Sequence, residues 1–372
     1  LHNIYIASLG GNKLPRRNMD PRTKKLAEVL VNHSILINKD DIIEVSCGHE
    51  AKDLALEVTR LILQKGAYPR VNCGIPGMSY TYLKYATDEQ LAKRPELRIY
   101  EAKKINGTIS IGTEYNTKEL TGIDPKKIAI RRKATRILTE IALKKDNWVI
   151  CEYPTNALAQ DAEMSLQEFE DFAYKACLID WKKQKAIQGK IKKVLDKGKE
   201  ARIVGRNTDI RFLIEGRTAI PCFGERNMPD GEVFIAPVET TTEGHINYDF
   251  PCVYMGKEVD DVKLEFKQGK VIKATAAKNE KFLHEMLKMD KGAKYLGEFG
   301  IGTNFGINRF IRNILFDEKI GGTIHLALGM AYKKGGGRNN SILHWDMIKD
   351  LRNDGAVYID GKLLEKKGKF SI

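Results

Sequence analysis

Glu298, Asp317-Glu318, His325, His344 and Asp346 lie between positions 298 and 346 of a 372-residue chain, nearly all among apolar residues and glycines. Carboxylates and imidazoles in such company are costly to bury unless something pairs with them, and bound divalent ions are the simplest partner. Ser341–Ile348 reads as a buried strand. Strand side chains alternate faces, so His344 and Asp346 emerge together while Leu343, Trp345 and Met347 point the other way. Thr323–Leu328 is a second such strand, with His325 alone among aliphatics, and Glu298 is flanked by Gly297 and Gly300, where backbone can approach a ligand closely. Glu232 joins the group because it opens an apolar strand just after a Pro-Asp-Gly turn. Taken singly, these residues read as a hydrogen-bonded core pair, an isolated core histidine and a solvated strand start. Taken together, they favour metal.

The candidate ligands are therefore Glu232, Glu298, Glu318, His325, His344 and Asp346. Carboxylate and imidazole without thiolate suit zinc, cobalt or manganese rather than a structural cysteine-type zinc site. Six side chains exceed the needs of one tetrahedral ion and fit two ions ~3.5–4 Å apart with a bridging carboxylate. Such a pair lowers the pKa of bound water to roughly 7 and polarises a carbonyl or phosphoryl oxygen, so hydrolysis is the natural reaction class. Tyr332, seven residues past His325, could donate a hydrogen bond to a developing oxyanion, although alone it reads as interior packing. Gly335-Gly-Gly337 with Asn339-Asn340 reads as a flexible loop leading to the His344 strand.

These groups need a scaffold, and the first half of the chain alternates strand and helix. A helix is expected at Arg22–His33, a strand at Ile42–Ser46, a helix at Lys52–Gln64 and a return strand at Tyr68–Asn72, a β-α-β unit that implies parallel sheet. The alternation continues with a helix at Glu89–Lys103, a strand at Thr108–Gly112, a helix at Pro125–Lys144 and a strand at Trp148–Glu152. Helices follow at Ser165–Cys177, opened by the capping box Ser165-Leu-Gln-Glu168, and at Lys183–Lys197. Near residue 200 the texture turns to short strands: Ala201–Val204, Asp209–Ile214, Glu232–Pro237, and hairpins at Val262–Ala274 and Ala356–Leu364. Helices at Glu280–Met289 and Phe305–Leu315 interrupt them. The expected architecture is a mostly parallel α/β domain over 1–198 followed by a β-rich α+β metal-binding domain over 199–372. The segment before Asp20 reads as an arm. No Gly-x-Gly-x-x-Gly or Walker-type loop supports a nucleotide cofactor.

Composition narrows the class. An apolar fraction of 42% and a charged fraction of 30% describe a globular protein, and no apolar run approaches the ~20 residues of a membrane span. Six scattered cysteines without a Cys-x-x-Cys pair suit reduced thiols and a cytoplasmic setting. The net charge of +13 lies largely in helical lysine faces and a C-terminal lysine run, so nucleic acid is not expected as a partner.

The motifs Asn227-Met-Pro-Asp-Gly-Glu-Val-Phe-Ile-Ala-Pro237, Gly297-Glu-Phe-Gly-Ile-Gly-Thr-Asn304, His325-Leu-Ala-Leu-Gly329 with Ala331-Tyr332, and His344-Trp-Asp346 resemble those of the thermophilic metallo-aminopeptidases, the aminopeptidase T, AmpS and PepS group. The resemblance implies that Glu232, Glu298, His325, His344 and Asp346 match the family's metal ligands and Tyr332 its catalytic tyrosine. Glu298 is a candidate for bridge or base. Glu318 matches a further ligand, but the link to His325 is longer than the family pattern, which leaves Asp317, or neither acid, as the alternative. It further implies homodimers around an internal chamber and removal of N-terminal residues from short peptides. A dimetal phosphodiesterase or nuclease, and a non-catalytic peptide-binding relative, remain as alternatives.

Overall fold

The β-α-β unit read from the first hundred residues is present. Strand Ile42–Gly48 and strand Tyr68–Gly74 pair in parallel across helix Lys52–Gln64, whose Leu54, Val58 and Ile62 are buried against the sheet. The structure, a computed structural model, describes residues 19–372, so the arm expected before Asp20 lies outside the described residues up to position 18. Gly107–Gly112 and Trp148–Glu152 extend the parallel sheet, and Asn227–Met228, from beyond residue 198, adds its last short strand. The fold class is as expected, a parallel α/β half followed by antiparallel sheets.

Two expected helices differ. Glu89–Lys103 is split into Asp88–Ala92 and Glu96–Lys104 at Pro95, which has no N–H for a helix interior. Phe305–Leu315 is loop except for its end: Ile314–Asp317 is the helical piece, capped by Asn313, while Arg312 adopts φ 62° and the Ile311 N–H is held by the Asp317 carboxylate. Polar side chains here satisfy backbone groups that a helix would have used. The short helices Met78–Tyr85 and Asn156–Asp161 were not expected.

The second half is a two-layer sandwich. An antiparallel sheet of eight strands, from Lys270–Thr275 at one edge to Lys369–Phe370 at the other, faces a five-stranded sheet. The latter runs in the order His344–Asp350, Thr323–Gly329, Leu296–Gly302, Glu232–Ile235, Ile220–Cys222. Their shared core holds Ile203, Ile210 and Phe212 from the large sheet and Val233, Phe299, Leu326, Trp345 and Met347 from the small one. Phe212 and Phe299 meet edge to face at 5.3 Å across the layers. The loop 305–320 docks through Ile307, Ile311, Phe316 and Ile320 onto helix Leu166–Cys177, which ties the site sheet to the α/β half.

One core carboxyl has no assigned task. Glu365, fully buried in the large sheet, has neither oxygen partnered among the described residues, and burial pushes it up to about 8. The folded state thus keeps a proton that the unfolded chain has released above the ordinary carboxylate range, so stability falls as pH rises toward 8. Glu365→Gln should flatten the loss of apparent Tm between about pH 5 and 8 and raise Tm at pH 8.5 by a few degrees, as measured by thermal denaturation.

Candidate metal centre

The five-stranded sheet has one greasy face and one polar face. Along each strand the core takes alternate residues, leaving Glu232, Glu298, His325, His344 and Asp346 on the opposite side. Glu298 stands across from Ala327, and Ala327 from Asp346, so the two carboxylates share a row with only a methyl between them. In the neighbouring row His325 stands across from Gly300.

Glu298 reaches this face through a β-bulge. Leu296 pairs with Leu328 but Glu298 pairs with Ala327, so Gly297 is the extra residue. Leu296, Phe299 and Ile301 all enter the core, a spacing that plain alternation forbids. A side chain at Gly297 would lie 2.2 Å from the Met330 carbonyl oxygen. Gly300 is needed for a different reason from the one its position suggested. A Cβ there would sit 2.0 Å from the His325 ring, so the space it leaves is filled by that imidazole and not by a ligand.

All six expected ligands converge. Glu232, Glu298 and His325 offer donor atoms within 4.8 Å of one another, as do Glu298, His344 and Asp346, and as do Glu318, His325 and Asp346. Glu298, His325 and Asp346 each belong to two of these triads. Between the neighbours Asp317 and Glu318, the side chain that enters the cluster is that of Glu318. Asp317, 1% exposed, is spent on the backbone of its own loop. His344 and Asp346 do open a strand on one face, but that strand starts at His344: residues 341–343 are loop, held by Asp290, which accepts from the Ser341 hydroxyl and the Ile342 N–H.

Both histidines are oriented by the backbone. His325 Nδ1 lies 3.0 Å from the Glu318 carbonyl oxygen and His344 Nδ1 lies 2.9 Å from that of Met330. A carbonyl can only accept, so each Nδ1 carries the proton and each Nε2 is turned toward the carboxylates. His325 Nε2 stands 3.2 Å from both Glu232 Oε2 and Glu298 Oε1. A bare lone pair facing two carboxylate oxygens is repulsive, and a cation or a proton must lie between them. Burial would push His325 down, yet the hydrogen bond to Glu298 and the charges of Glu232 and Asp346 lift it to about 10. Burial, reinforced by Glu318 and Glu298, pushes Glu232 well above the carboxylate range despite Lys319 and His325. Glu232 Oε2, Glu298 Oε2 and Asp346 Oδ1 are buried and have no hydrogen-bond partner among the described residues. Three orphaned carboxylate oxygens around outward-turned imidazole nitrogens are the donor set that a divalent ion requires, so the residues fit the metal their chemistry implies.

Lys319 was not anticipated. Fully buried, it touches Glu318 and lies 3.7 Å from Glu232 Oε1. Burial would lower its pKa, but Glu318, Glu232 and Asp230 outweigh burial and hold it above the ordinary lysine value. In the sequence it is an unremarked lysine after two acids, and lysine is seldom read as interior. Tyr332 is not packed in the interior. It is 46% exposed and stands edge-on to His344, with ring centroids 5.6 Å apart. Burial of the phenol end and the charges of Glu298, Asp346, Glu318 and Glu232 raise its pKa, keeping it a proton donor.

Beside the cluster lies a cavity of about 550 Å³. His344 and Asp346 form part of its wall, and Glu114 and Glu152, from the ends of two parallel strands, form another. Burial, with Glu114 close by, pushes Glu152 up to about 7. Neither of these acids stood out in the sequence, because their partners come from distant segments.

Comparison with known proteins gives a consistent picture. Residues 19–370 match the family described as thermophilic metalloprotease (M29). Aminopeptidase 2 of Geobacillus stearothermophilus is 24% identical over 373 residues, covering 90% of each chain. Aminopeptidase T of Thermus thermophilus is 25% identical over 403 residues, covering 93% of this chain and 96% of that one. The solved structure of wild-type AmpT from Thermus thermophilus superposes with a TM-score of 0.83 at 22% identity, over 94% of this chain and 99% of that chain, which shows the shared fold.

Because the Gly300 gap is filled by His325, Gly300→Ala should displace the imidazole. Metal affinity, measured by competition with a chromogenic chelator, should fall about 10- to 100-fold while the far-ultraviolet circular dichroism is kept.

Proposed function

The chain belongs to the thermophilic metalloprotease family M29, and on that premise we propose that it is an aminopeptidase that removes N-terminal residues from short peptides, using two divalent ions held by Glu232, Glu298, Glu318, His325, His344 and Asp346. The observation that carries this reading is the pair of histidine-containing triads joined through Glu298, with His325 Nε2 aimed between two carboxylates. Zinc, cobalt and manganese all suit the donors. When bound, such ions supply an acidified water and polarise the scissile carbonyl.

The chain's own residues account for the rest. Glu298 and Asp346 each belong to two of the three triads and are the carboxylates placed to be shared, and the unpartnered Oε2 of Glu298 is also an atom able to accept the attacking water's proton. The Nδ1 hydrogen bonds of His325 and His344 fix their rings, so little reorganisation is needed when a ligand arrives. Tyr332, kept protonated, donates to the oxygen that gains charge as the carbonyl becomes tetrahedral. Glu114 and Glu152, across the cavity, offer negative charge to the substrate's α-ammonium group. These acids argue against the phosphodiesterase alternative. The cavity's cations are already engaged, Arg312 with Glu163 and Glu258 and Lys118 opposite Asp161, which leaves a wall that repels phosphate. The free cysteines support a cytoplasmic setting, and among the described residues no helix is long and apolar enough to cross a membrane. A homodimer is the assembly we propose.

Hydrolysis of an aminoacyl-nitroanilide panel should be abolished by chelation and restored by zinc, cobalt or manganese. His344→Ala should keep the fold and lose turnover, and full turnover by a folded, metal-replete variant would remove His344 from the mechanism. Activity toward a bis-nitrophenyl phosphate in place of the nitroanilides would favour the phosphodiesterase, and no bound metal would favour a non-catalytic relative. Tyr332→Phe should lower kcat by about 10²-fold with KM little changed, as steady-state kinetics would show.

A further inference from the structure

Lys319 is the permanent cation of the site, and its surroundings give it a defined task. It is fully buried, with its ammonium against Glu318 and 3.7 Å from Glu232 Oε1. Its backbone is clamped at both ends: its N–H donates to Phe316 O and its carbonyl accepts from Asn304 N–H at 3.1 Å. The other Glu232 oxygen, Oε2, faces His325 Nε2. Glu232 is thus stretched between a fixed ammonium on one side and the metal-binding nitrogen on the other, and Glu318 is anchored from the same point. Behind them Asp230, also buried, has its two oxygens occupied by the Gly224 and Gly231 N–H groups, so it cannot turn to assist.

We propose that Lys319 is a positioning residue that acts as an internal counter-ion, keeping Glu232 and Glu318 aimed at the metal positions and holding the acidic cluster together when no divalent ion is bound. The inference rests on the metal reading above for its first half only. Removing the ammonium takes from Glu318 its nearest positive charge and from Glu232 one of the two it faces, a cost that bound divalent ions offset and that an empty site does not. Lys319 touches neither substrate nor reacting atoms in this role.

The test compares apparent Tm of chelated and metal-loaded protein for wild type, Lys319→Met, and the double variant Lys319→Met/Glu318→Gln, with bound metal counted by mass spectrometry. Lys319→Met should lower the Tm of the chelated protein by roughly 10 °C and that of the loaded protein by less than half as much. The double variant, which removes the orphaned charge as well, should recover most of the chelated-state loss. Equal losses in both states, or no recovery in the double variant, would assign Lys319 to packing alone and overturn the proposal. If Lys319→Met folds only with metal present, that supports it; if neither variant folds with or without metal, it is overturned. A wild type that binds no metal would sink the metal reading separately, and the chelated-state comparison would still decide whether Lys319 is the counter-ion.

Discussion

Four carboxylates and two imidazoles are pressed onto one face of a sheet where water cannot reach most of their atoms, and the design around them answers that repulsion. In a medium of low effective dielectric, like charges at these separations oppose folding strongly, and the groups cannot all find hydrogen-bond donors. Three carboxylate oxygens have none. Such an arrangement persists only when positive charge is part of it. Lys319 supplies one unit that never leaves, and divalent ions are suited to supply the remainder.

The sheet turns this electrostatic demand into geometry. Its core face needs bulk, and Phe299, Leu326 and Trp345 provide it. Its site face needs room, and Gly300, Gly302, Ala327 and Gly329 alternate with the charged residues so that side chains from adjacent strands converge rather than collide. The bulge at Gly297 lets one strand serve both faces. Without it, Glu298 would follow Leu296 into the hydrophobic layer. The α/β half contributes an opposing wall, since ligand sites in parallel sheets form beyond the carboxyl ends of strands, where Glu114 and Glu152 lie.

Much of this was legible in the sequence because strand alternation is a local rule. His344 and Asp346 share a face for the same reason that Trp345 leaves it, and the polar interruption of an apolar strand is visible without a fold. The parallel half was equally readable from its alternation of strand and helix. What escaped depends on partners far along the chain. The role of Gly300 is set by His325, twenty-five residues on. Lys319 is interior only because Glu232 is brought beside it, and nothing in its own neighbourhood distinguishes it from a surface lysine. The loop 305–313 has helical spacing, but the Asp317 carboxylate claims the Ile311 N–H and Asn313 caps the short helix that follows. Local periodicity cannot weigh such competition.

The chain's positive balance also misleads when it is read as one number. A net charge of +13 is spread over surface lysines and arginines, whose fields are screened within about 8–10 Å at ordinary salt. The site is the reverse, a compact negative region with little water to screen it, and there the local acids set the potential irrespective of the total. A small cation entering the cavity therefore meets an attractive field over its last few ångströms even though the whole protein repels it weakly from afar. The wall of Glu114 and Glu152 adjoins that cluster across the cavity, so under the proposed function the field that would draw divalent ions in would also favour an ammonium group there. On the proposed reading, metal binding and recognition of a free amino terminus would be two uses of one concentration of negative charge.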